Sequence, residues 1–518
     1  MARLSKIFWK RTYLFIEYLA ETEESVCLKK GNLVVPFEVK LLEQGVYRAK
    51  LNLCIAEGRR MLSDGEWIIY IGETEIVDAA DEVLLNLETL SNVYRYDGDK
   101  AYIVTFHLNE MERERFSISL KVDYMMKNPR PEKRTGSITI LKCILNAVYR
   151  LVRVCSSKKG NRILFLNENS NKLDGNAAAL YNRMLERGLG KTHKITVSCR
   201  NIFAKKQNPV EWLKTVVLMA KQDYIFVEDY VPVLGFLDID EKTTVVQLWH
   251  AGFGFKGVGY GRFGLTGSPN PFESCHRKYT YGIIGNENLR EVYSEVWGIE
   301  KESLLATGMP RLSNFLDEQL IEKTKADILE KLPMIKGKRV ITFAPTYRGS
   351  NQKEAYYDMG RIDQNALHEY CKETDSIVLM KFHSFLKGHK LVDEAYKEYI
   401  IDASDYNLND LFYVTDLLIT DYSSCFYDFI LLGKPVLFYV YDEVHYSAMR
   451  GICRPVSKVA PGKICKSFDE LMDAIKSQNY EDVEIPDFMV DRCSLKEPLT
   501  ASDKIIDYVI FDKKDMDI

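Results

Sequence analysis

Asp416-Leu417-Leu418-Ile419-Thr420-Asp421-Tyr422-Ser423-Ser424 is the segment from which the architecture of this chain is most readily worked out. Its apolar part is typical of a short strand buried on both faces. Its polar part follows where such a strand ends, and the next residues, from Cys425 to Leu432, have the composition of a helix. A helix that begins there directs free backbone N–H groups at a bound phosphate. Capping of the helix by Asp421 or Ser423 explains the same residues, so the segment alone supports either interpretation.

The same alternation of an apolar strand and a helical stretch recurs on both sides of this segment. It predicts a doubly wound parallel sheet, and a polar helix at 317–332 indicates that a second such unit begins there. Ligands bind at the carboxyl ends of strands in these sheets. The predicted strands are 162–166, 224–227, 244–249, 281–285, 339–345, 376–381, 416–420 and 435–439.

The N-terminal region differs in pattern. Short apolar runs at 25–28, 32–39, 66–71 and 100–106 are separated by turn residues, and Asp97-Gly98 suits a hairpin turn. They predict a small β-sandwich without a catalytic pattern. The expected organisation is therefore a β-rich accessory domain at 1–130, a linker and basic helix at 131–159, and two α/β domains at 160–316 and 317–518.

The predicted helix at 137–153 has apolar residues at helical spacing and basic residues beside them. One interpretation is an ordinary packing helix. The other is a basic amphipathic helix that contacts anionic lipid. The apolar positions are Ile138, Leu141, Ile144, Leu145, Val148 and Val152, and the basic ones are Lys142, Arg150, Arg153, Lys158 and Lys159.

Composition narrows the class of protein. The 518 residues are 46% hydrophobic, which is enough for two or three domain cores. With 70 basic and 74 acidic residues, the formal charge of −4 argues against a nucleic-acid binder. We expect no signal peptide and no transmembrane helix. The 11 scattered cysteines form no CxxC pair, which is typical of reduced thiols in the cytoplasm. No group of residues in the sequence has the spacing of zinc ligands.

One glycine-rich loop follows a strand end directly. His250 ends the strand at 244–249 and is a candidate base near neutral pH. Gly252 and Gly254 would let a ligand approach the backbone, and Lys256 and Arg262 could meet an anion. A loop with an incidental histidine is the alternative.

Three other strand ends or turns carry basic or hydroxyl groups. Arg311 lies in a turn between the two predicted α/β domains. Thr346 and Arg348 follow one strand, and arginine is suited to bidentate phosphate contact. Lys381 and His383 follow another.

Taken together, these motifs resemble the CDP-glycerol glycerophosphotransferase family, the teichoic-acid and capsule polyol-phosphate transferases. The resemblance covers roughly residues 160 to 455. It is carried by the segment 416–424 and by the residues that surround it in order along the chain. These are Thr307-Gly308-Met309-Pro310-Arg311, Phe343-Ala344-Pro345-Thr346-Tyr347-Arg348, Asp428-Phe429, Gly433-Lys434-Pro435, Tyr441-Asp442 and Arg450-Gly451.

The resemblance implies a GT-B fold, in which two Rossmann-like domains face a cleft and the second holds the donor. It also implies transfer of glycerol phosphate or ribitol phosphate from a CDP-polyol to a hydroxyl of a cell-wall or capsule polymer, with release of CMP. His250 and His383 match the family's catalytic histidines. The donor-binding positions are then Arg311, Thr346, Arg348, Lys381, Thr420, Asp421, Ser423, Ser424 and Asp428.

Further expectations concern partners and location. Family members are usually peripheral membrane proteins with a lipid-linked acceptor, so a place at the inner face of the cell membrane is expected. We expect no cofactor and no metal site, although the sequence does not decide whether the reaction requires a divalent metal ion. The family commonly has Trp-His-Gly-Thr-Pro where this chain has Ala251-Gly252-Phe253 after His250, so we expect the acceptor side to differ. A nucleotide-sugar glycosyltransferase and an inactive polymer-binding relative are the rival interpretations.

Overall fold

A computed structural model gives the architecture of the chain. It describes residues 2–75, 78–96, 100–111, 115–126, 135–156, 160–201, 209–252, 254, 257–265, 268, 270, 272, 274–349, 354–386, 391–452, 455–480 and 501–515.

The N-terminal region forms two sheets. One has the order β5-β6-β2-β1-β8 and the other β4-β3-β7-β11-β10-β9, with antiparallel neighbours except for the parallel pair β1 and β8. The strands are Arg3–Lys10 (β1), Tyr13–Leu19 (β2), Val26–Lys30 (β3), Leu33–Pro36 (β4), Glu38–Glu43 (β5), Val46–Asn52 (β6), Gly65–Ile71 (β7), Asp78–Ala79 (β8), Asn92–Tyr96 (β9), Lys100–Met111 (β10) and Arg115–Met126 (β11). A short helix, Asp81–Asn86 (α1), precedes β9.

Alternation of buried and exposed side chains along these strands builds a single apolar core. Trp67 and Tyr102 are fully buried within it. The predicted β-rich region is confirmed, although the run at 32–39 divides into β4 and the start of β5. The expected hairpin turn at Asp97-Gly98 lies outside the described residues.

Helix α2, Thr135–Cys155, follows the N-terminal sheets and includes the predicted helix at 137–153. Leu145 and Tyr149 are buried against the first α/β unit, and Arg153 forms an ion pair with Asp240 at 3.3 Å. The packing interpretation is therefore correct for one side of the helix. Ile144, expected on that face, is 52% exposed.

The first parallel sheet has the order β13-β12-β14-β15-β16-β17. Its strands are Arg162–Asn167 (β12), Lys194–Cys199 (β13), Tyr224–Val227 (β14), Thr244–Gln247 (β15), Tyr281–Ile283 (β16) and Leu304–Leu305 (β17). The accompanying helices are Gly175–Glu186 (α3), Leu189–Thr192 (α4), Pro209–Ala220 (α5) and Arg290–Trp297 (α6).

The second parallel sheet has the order β20-β19-β18-β21-β22-β23, which is the Rossmann order 3-2-1-4-5-6. Its strands are Arg339–Ala344 (β18), Ser376–Met380 (β19), Ile400–Asp402 (β20), Leu417–Thr420 (β21), Val436–Tyr439 (β22) and Ile464–Cys465 (β23). The helices are Glu318–Lys331 (α7), Gln364–Thr374 (α8), Leu408–Val414 (α9), Phe426–Phe429 (α10), Glu443–Arg450 (α11), Val456–Val459 (α12), Phe468–Ser477 (α13) and Ala501–Ile505 (α14).

The two α/β units share one apolar cluster. Helix α14 and the π-helical turn after it, Ile506–Ile510, pack against α3 of the first unit. Asp503 accepts hydrogen bonds there from Arg183 and Arg187. The α/β prediction is confirmed, with two parallel sheets whose carboxyl ends carry the polar residues described next. The helix expected from Cys425 to Leu432 is shorter, because α10 spans one turn and continues as the 3-10 turn Ile430–Leu432.

Candidate active site

A cavity of about 310 Å³ is lined by residues that follow strands of both parallel sheets. It brings together five of the expected site residues, namely His250, Arg311, Ser423, Ser424 and Asp428. The remaining lining residues are Asp174, Gly175, Glu228, Asp229, Asn407, Asn409 and Cys425. The carboxyl ends of the strands therefore converge on this cavity, as open α/β sheets predict.

His250 is held by a carboxylate. Its Nδ1 lies 2.6 Å from Oδ1 of Asp229, and its side chain is 55% exposed at the cavity. Partial desolvation of the ring at the cavity wall lowers its pKa, but the carboxylates of Asp229 and Glu228 outweigh this effect and raise the pKa above the usual value. With Nδ1 occupied by Asp229, Nε2 is the nitrogen available to take a proton. The preceding Trp249 adopts a left-handed conformation with φ 49°.

Asn176 ties the walls of the cavity together and is fully buried. Its backbone N–H donates to Glu228 Oε1 at 2.7 Å, and its side-chain amide donates to the carbonyl of Trp249. Its Oδ1 accepts from the backbone N–H of Arg311 at 3.0 Å. One residue at the start of α3 thus sets the positions of the strand end at β14, the histidine loop and the arginine turn.

Glu228 is a buried acid beneath the cavity. Burial raises its pKa from 4.5 to about 7, against the opposing effect of the N–H groups of Ala177 and Asn176. Gly175 has φ 58°, and a Cβ on it would overlap the Glu228 carboxylate. Glycine is therefore required for the carboxylate to sit against the first turn of α3.

Arg311 and Asp428 form a buried bidentate ion pair in the wall of the cavity. Nε to Oδ2 is 3.0 Å and Nη2 to Oδ1 is 2.8 Å. Burial raises the pKa of Asp428 even though Arg311 opposes the shift. Nη1 of Arg311 is buried and has no hydrogen-bond partner among the described residues. Asp428 therefore orients the guanidinium and leaves one of its nitrogens available to an anion.

Ser423 and Ser424 line the same cavity as His250 and lie just before α10. Ser423 Oγ accepts from the backbone N–H of Cys425 at 3.3 Å. Asn407 caps α9 through a 2.8 Å hydrogen bond from the N–H of Asn409. These groups line the cavity with hydroxyl and amide donors, which suit phosphate oxygens.

Arg348 does not line the cavity, although we expected it to bind the donor. It is 3% exposed, and its Nη1 bonds Asp421 Oδ2 at 2.8 Å. Nε and Nη2 each bond a different oxygen of Asp442 at 2.8 Å. Asp421 Oδ1 also accepts from the N–H and hydroxyl of Thr346, both at 2.8 Å. Arg348, Thr346 and Asp421 therefore satisfy one another and hold the loops after β18 and β21 together, and their direct contact with the donor phosphates stays a prediction.

Three further expected residues also lie away from the cavity. The Thr420 hydroxyl donates to the carbonyl of Ala344 at 2.8 Å, within the second sheet. Lys381 Nζ donates to the carbonyl of Ser404 at 2.8 Å. His383 is exposed and its ring packs 4.7 Å from that of Tyr347. His383 is thus not among the residues that line the cavity, and its catalytic role stays a prediction.

The glycines after His250 serve close packing. A Cβ on Gly252 would overlap Met309, and one on Gly254 would press on Val292 of α6. Burial lowers the pKa of Arg262, which is half-buried, and the nearby Arg450 lowers it further. Lys256 lies outside the described residues.

Residues 257–265, which we call the junction loop, contact all three parts of the molecule. The N–H of Gly257 donates to the carbonyl of Gly451 in the second α/β unit at 3.0 Å. A Cβ on Gly259 would overlap the carbonyl of Val296 in the first. Phe263 is 7% exposed within the core of the N-terminal sandwich, where its ring stacks 5.0 Å from that of Tyr94.

Asp229, Glu228 and Asn176 were not among the expected site residues. The acidic pair Glu228-Asp229 directly follows the buried strand β14, so it has the same position relative to a strand as His250. That placement is the signal that could have identified it. Asn176 carries no such signal, because its partners are distant in sequence.

The structure and the sequence comparisons agree on the class of protein. Two parallel α/β sheets with a histidine, an arginine and two serines at their carboxyl ends are those of a group-transferring enzyme with an anionic substrate. The family model described as CDP-Glycerol:Poly(glycerophosphate) glycerophosphotransferase matches residues 147–510, and the chain belongs to that family.

Relatives and solved structures extend this assignment. The teichoic acid ribitol-phosphate polymerase TarL of Staphylococcus aureus is 29% identical over 94% of this chain and 95% of its own length. TarK, a second ribitol-phosphate polymerase of that organism, is 33% identical over 67% of this chain and 68% of its own. The structure of the wall teichoic acid polymerase TagF has a TM-score of 0.56 at 20% identity, covering 75% of this chain and 99% of that one, and supports the fold.

Proposed function

We propose that this chain transfers a polyol phosphate from a CDP-polyol to a hydroxyl of a teichoic-acid-type or capsule polymer and releases CMP. The observation that carries the proposal is the cavity in which the His250–Asp229 pair shares a space with Arg311, Ser423 and Ser424. A base on one side and anion-binding groups on the other are what a phosphoryl transfer to an alcohol needs.

The base is His250. Its Nε2 takes the proton from the acceptor hydroxyl while Asp229 stabilises the imidazolium that forms. The acceptor oxygen forms a bond to the phosphorus that carries the polyol. The bond from that phosphorus to the bridging oxygen breaks, and CMP leaves with the electron pair.

The donor phosphates bind on the other side of the cavity. Arg311 faces them with its unpaired Nη1, and the hydroxyls of Ser423 and Ser424 donate hydrogen bonds. Arg348, Thr346 and Asp421 act behind them by holding the loop that carries the serines. His383 has the family's second histidine position, and its role in the donor site stays a prediction.

The polyol is ribitol in this proposal. The relatives TarL and TarK are described as ribitol-phosphate polymerases, and the match to TarL covers 94% of this chain and 95% of its own length. Other relatives are described as glycerol-phosphate primases and polymerases, so CDP-glycerol is the donor against which to compare.

The cleft is of the GT-B type. In this proposal the domain at 160–316 carries His250 on the acceptor side, and the domain at 317–518 carries the serines on the donor side. Residues 501–510 cross from the second unit to contact α3, as a strap between the two domains. Divalent metal is not needed in this scheme, and turnover that persists in excess EDTA is the expected result.

The site of action is an anionic membrane surface. No helix among the described residues combines the length and apolar character that crossing a bilayer requires. Helix α2 instead presents four large apolar side chains to solvent, Ile140, Ile144, Leu151 and Val154, which are 52–85% exposed. Helix α5 packs beside α2 and adds Val210 at 54%. Such an apolar stripe near basic residues suits the interface of a bilayer, where a lipid-linked acceptor would lie.

Release of CMP by the purified full chain tests the reaction. CDP-ribitol should support release, CDP-glycerol less, and UDP-sugars none. His250→Ala should lower kcat by about 10² to 10⁴, the usual contribution of a general base. His107→Ala removes an exposed histidine of the N-terminal sandwich and is the matched control. Equal turnover of His250→Ala and wild type would overturn the base assignment.

Sedimentation with vesicles tests the membrane surface. Leu151→Asp combined with Val154→Asp should abolish binding to phosphatidylglycerol vesicles. Leu85→Asp, at an 84% exposed leucine of the N-terminal region, should bind like wild type. Unchanged binding of the double variant would show that α2 is not the contact.

A further inference from the structure

A second cavity lies between the N-terminal sandwich and the segment that follows the junction loop. Its volume is about 530 Å³, and it shares no lining residue with the His250 cavity. The described residues on one wall come from β9, β11 and the turn after β6. Those on the other include Phe272 and Arg277 of the first α/β unit. Cavities at such domain interfaces are common ligand sites.

Three aromatic rings form one side of this cavity. Phe272 packs edge-to-face against Tyr124 at 5.2 Å and against Tyr96 at 5.8 Å between ring centroids. The Tyr124 hydroxyl donates to the carbonyl of Leu62 at 2.7 Å, which holds its ring in place. Phe272 remains 41% exposed. A large apolar face is therefore held open at the edge of the cavity.

Charged groups of both signs complete it. Arg277 donates from Nη2 to the carbonyl of Cys54 at 3.2 Å, while its Nε is buried without a hydrogen-bond partner among the described residues. Arg60 and Asp64 are exposed at the rim. Glu57 is oriented by the N–H of Ser63, which donates to Oε1 at 2.5 Å. Guanidinium and carboxylate groups together can satisfy hydroxyls, and the arginines can also meet a phosphate.

We propose that this cavity binds a segment of the acceptor polymer, a phosphate-bearing glycan or polyol chain, away from the site of transfer. The proposal rests on the proposed function for the identity of the polymer. Aromatic faces pack against the C–H surfaces of a sugar or polyol, whose electropositive hydrogens suit the negative face of a ring. The carboxylates of Glu57 and Asp64 accept from its hydroxyls, and Arg60 and Arg277 bind its phosphates.

The connection to the active site favours the acceptor over a second nucleotide. The chain runs from His250 through the junction loop to Phe272 and Arg277, so one continuous segment borders both cavities. The junction loop is anchored by Phe263 in the same sandwich whose strands carry Tyr96 and Tyr124. A polymer held at this cavity thus contacts the same sandwich that anchors the junction loop after His250.

Direct binding tests the inference. Fluorescently labelled short poly(ribitol phosphate) is titrated with the full-length protein, and anisotropy is followed without any donor. Phe272→Ala should weaken binding about 2- to 10-fold, as expected for loss of one aromatic contact. Phe272→Ala combined with Arg60→Gln should weaken it further. Phe511→Ala, at a 45% exposed phenylalanine near the C-terminus, is the matched control.

Turnover separates this inference from the proposed function. CMP release with a single polyol phosphate as acceptor should be unchanged in Phe272→Ala, while KM for a long polymer rises. Wild-type affinity for the polymer in both cavity variants would overturn the inference and leave the transferase intact. Absence of CMP release from any CDP-polyol would overturn the transferase, while the anisotropy result would still decide the cavity. Displacement of the polymer by CMP alone would identify a nucleotide site instead.

Discussion

Arg311 and Asp428, 117 positions apart in sequence, meet in a buried bidentate ion pair that joins the turn after β17 to the helix after β21. The pair links the two α/β units, and both of its members line the cavity. Its geometry explains how an arginine from the first unit can be aimed at a ligand held by the second.

Removal of one member of this pair should destabilise the protein strongly. Asp428→Ala leaves a guanidinium buried without its carboxylate, so we expect the free energy of unfolding to fall by about 3–5 kcal/mol. Urea denaturation measures the change. Glu322→Ala breaks an exposed pair with Lys325 and should cost at most about 1 kcal/mol. Similar losses in both variants would contradict a buried role for Asp428.

Asp229→Asn should change the pH dependence of the reaction. The Asp229 carboxylate raises the pKa of His250, so its removal lets burial dominate and lowers that pKa. Because the base must be neutral, the acidic limb of the kcat profile should move to lower pH. At the same time kcat should fall, since the imidazolium loses its partner. An NMR titration of His250 checks the shift directly, and an acidic limb that stays in place would contradict it.

Substitutions of Arg348 and of Ser424 should have different effects, the first on stability and the second on donor binding. Arg348→Met leaves the buried Asp421 and the half-buried Asp442 without a counter-charge, and we expect a loss of about 3–5 kcal/mol in the free energy of unfolding. Ser424→Ala should leave stability within about 0.5 kcal/mol of wild type. It should lower kcat/KM for the CDP-polyol about 10- to 100-fold, as loss of a hydrogen bond to a charged group predicts.

The reverse result, a stable Arg348→Met protein with a raised KM for the donor, would restore Arg348 as a phosphate ligand. Thermal denaturation and steady-state CMP release on the same preparations distinguish the two outcomes.

Glu228 should make stability fall as pH rises. Its pKa is about 7 in the folded state and 4.5 as the ordinary value, so the folded state holds the proton longer. The contribution of Glu228 is greatest below pH 4.5 and is lost as pH rises to about 7, by roughly 3 kcal/mol in all. Glu228→Gln should remove this component, so the difference in stability between variant and wild type should widen over that pH range. A constant difference would show that Glu228 is already ionised when folded.

The sequence predicted the fold well because local patterns determine it. The apolar strands at 339–345 and 416–420 lie close to where β18 and β21 occur. Their alternation with helices predicted parallel sheets, whereas the strand order within each sheet was not predicted. His250, Arg311 and Ser423 could be placed in one site because parallel strands carry their carboxyl ends to the same edge.

Pairings between distant side chains could not be predicted in this way. The residue type of Arg348 suits a phosphate, but Asp442 occupies it from 94 positions away. Asp229 was not predicted because an acidic residue after a strand can have many roles, and the sequence does not show that it contacts His250. Residue type indicates what a group can bind, and only the fold shows whether another side chain has already bound it.

The burial of Phe263 in the N-terminal sandwich limits how this region can be exchanged, removed or changed by substitution. In a chimaera, residues 1–130 from a relative would have to provide an apolar pocket that fits the Phe263 ring. A truncated protein without residues 1–130 would leave the junction loop, which follows His250 in the chain, without this anchor. Substitutions in the sandwich core around Phe263 and substitutions in the junction loop are therefore expected to occur together.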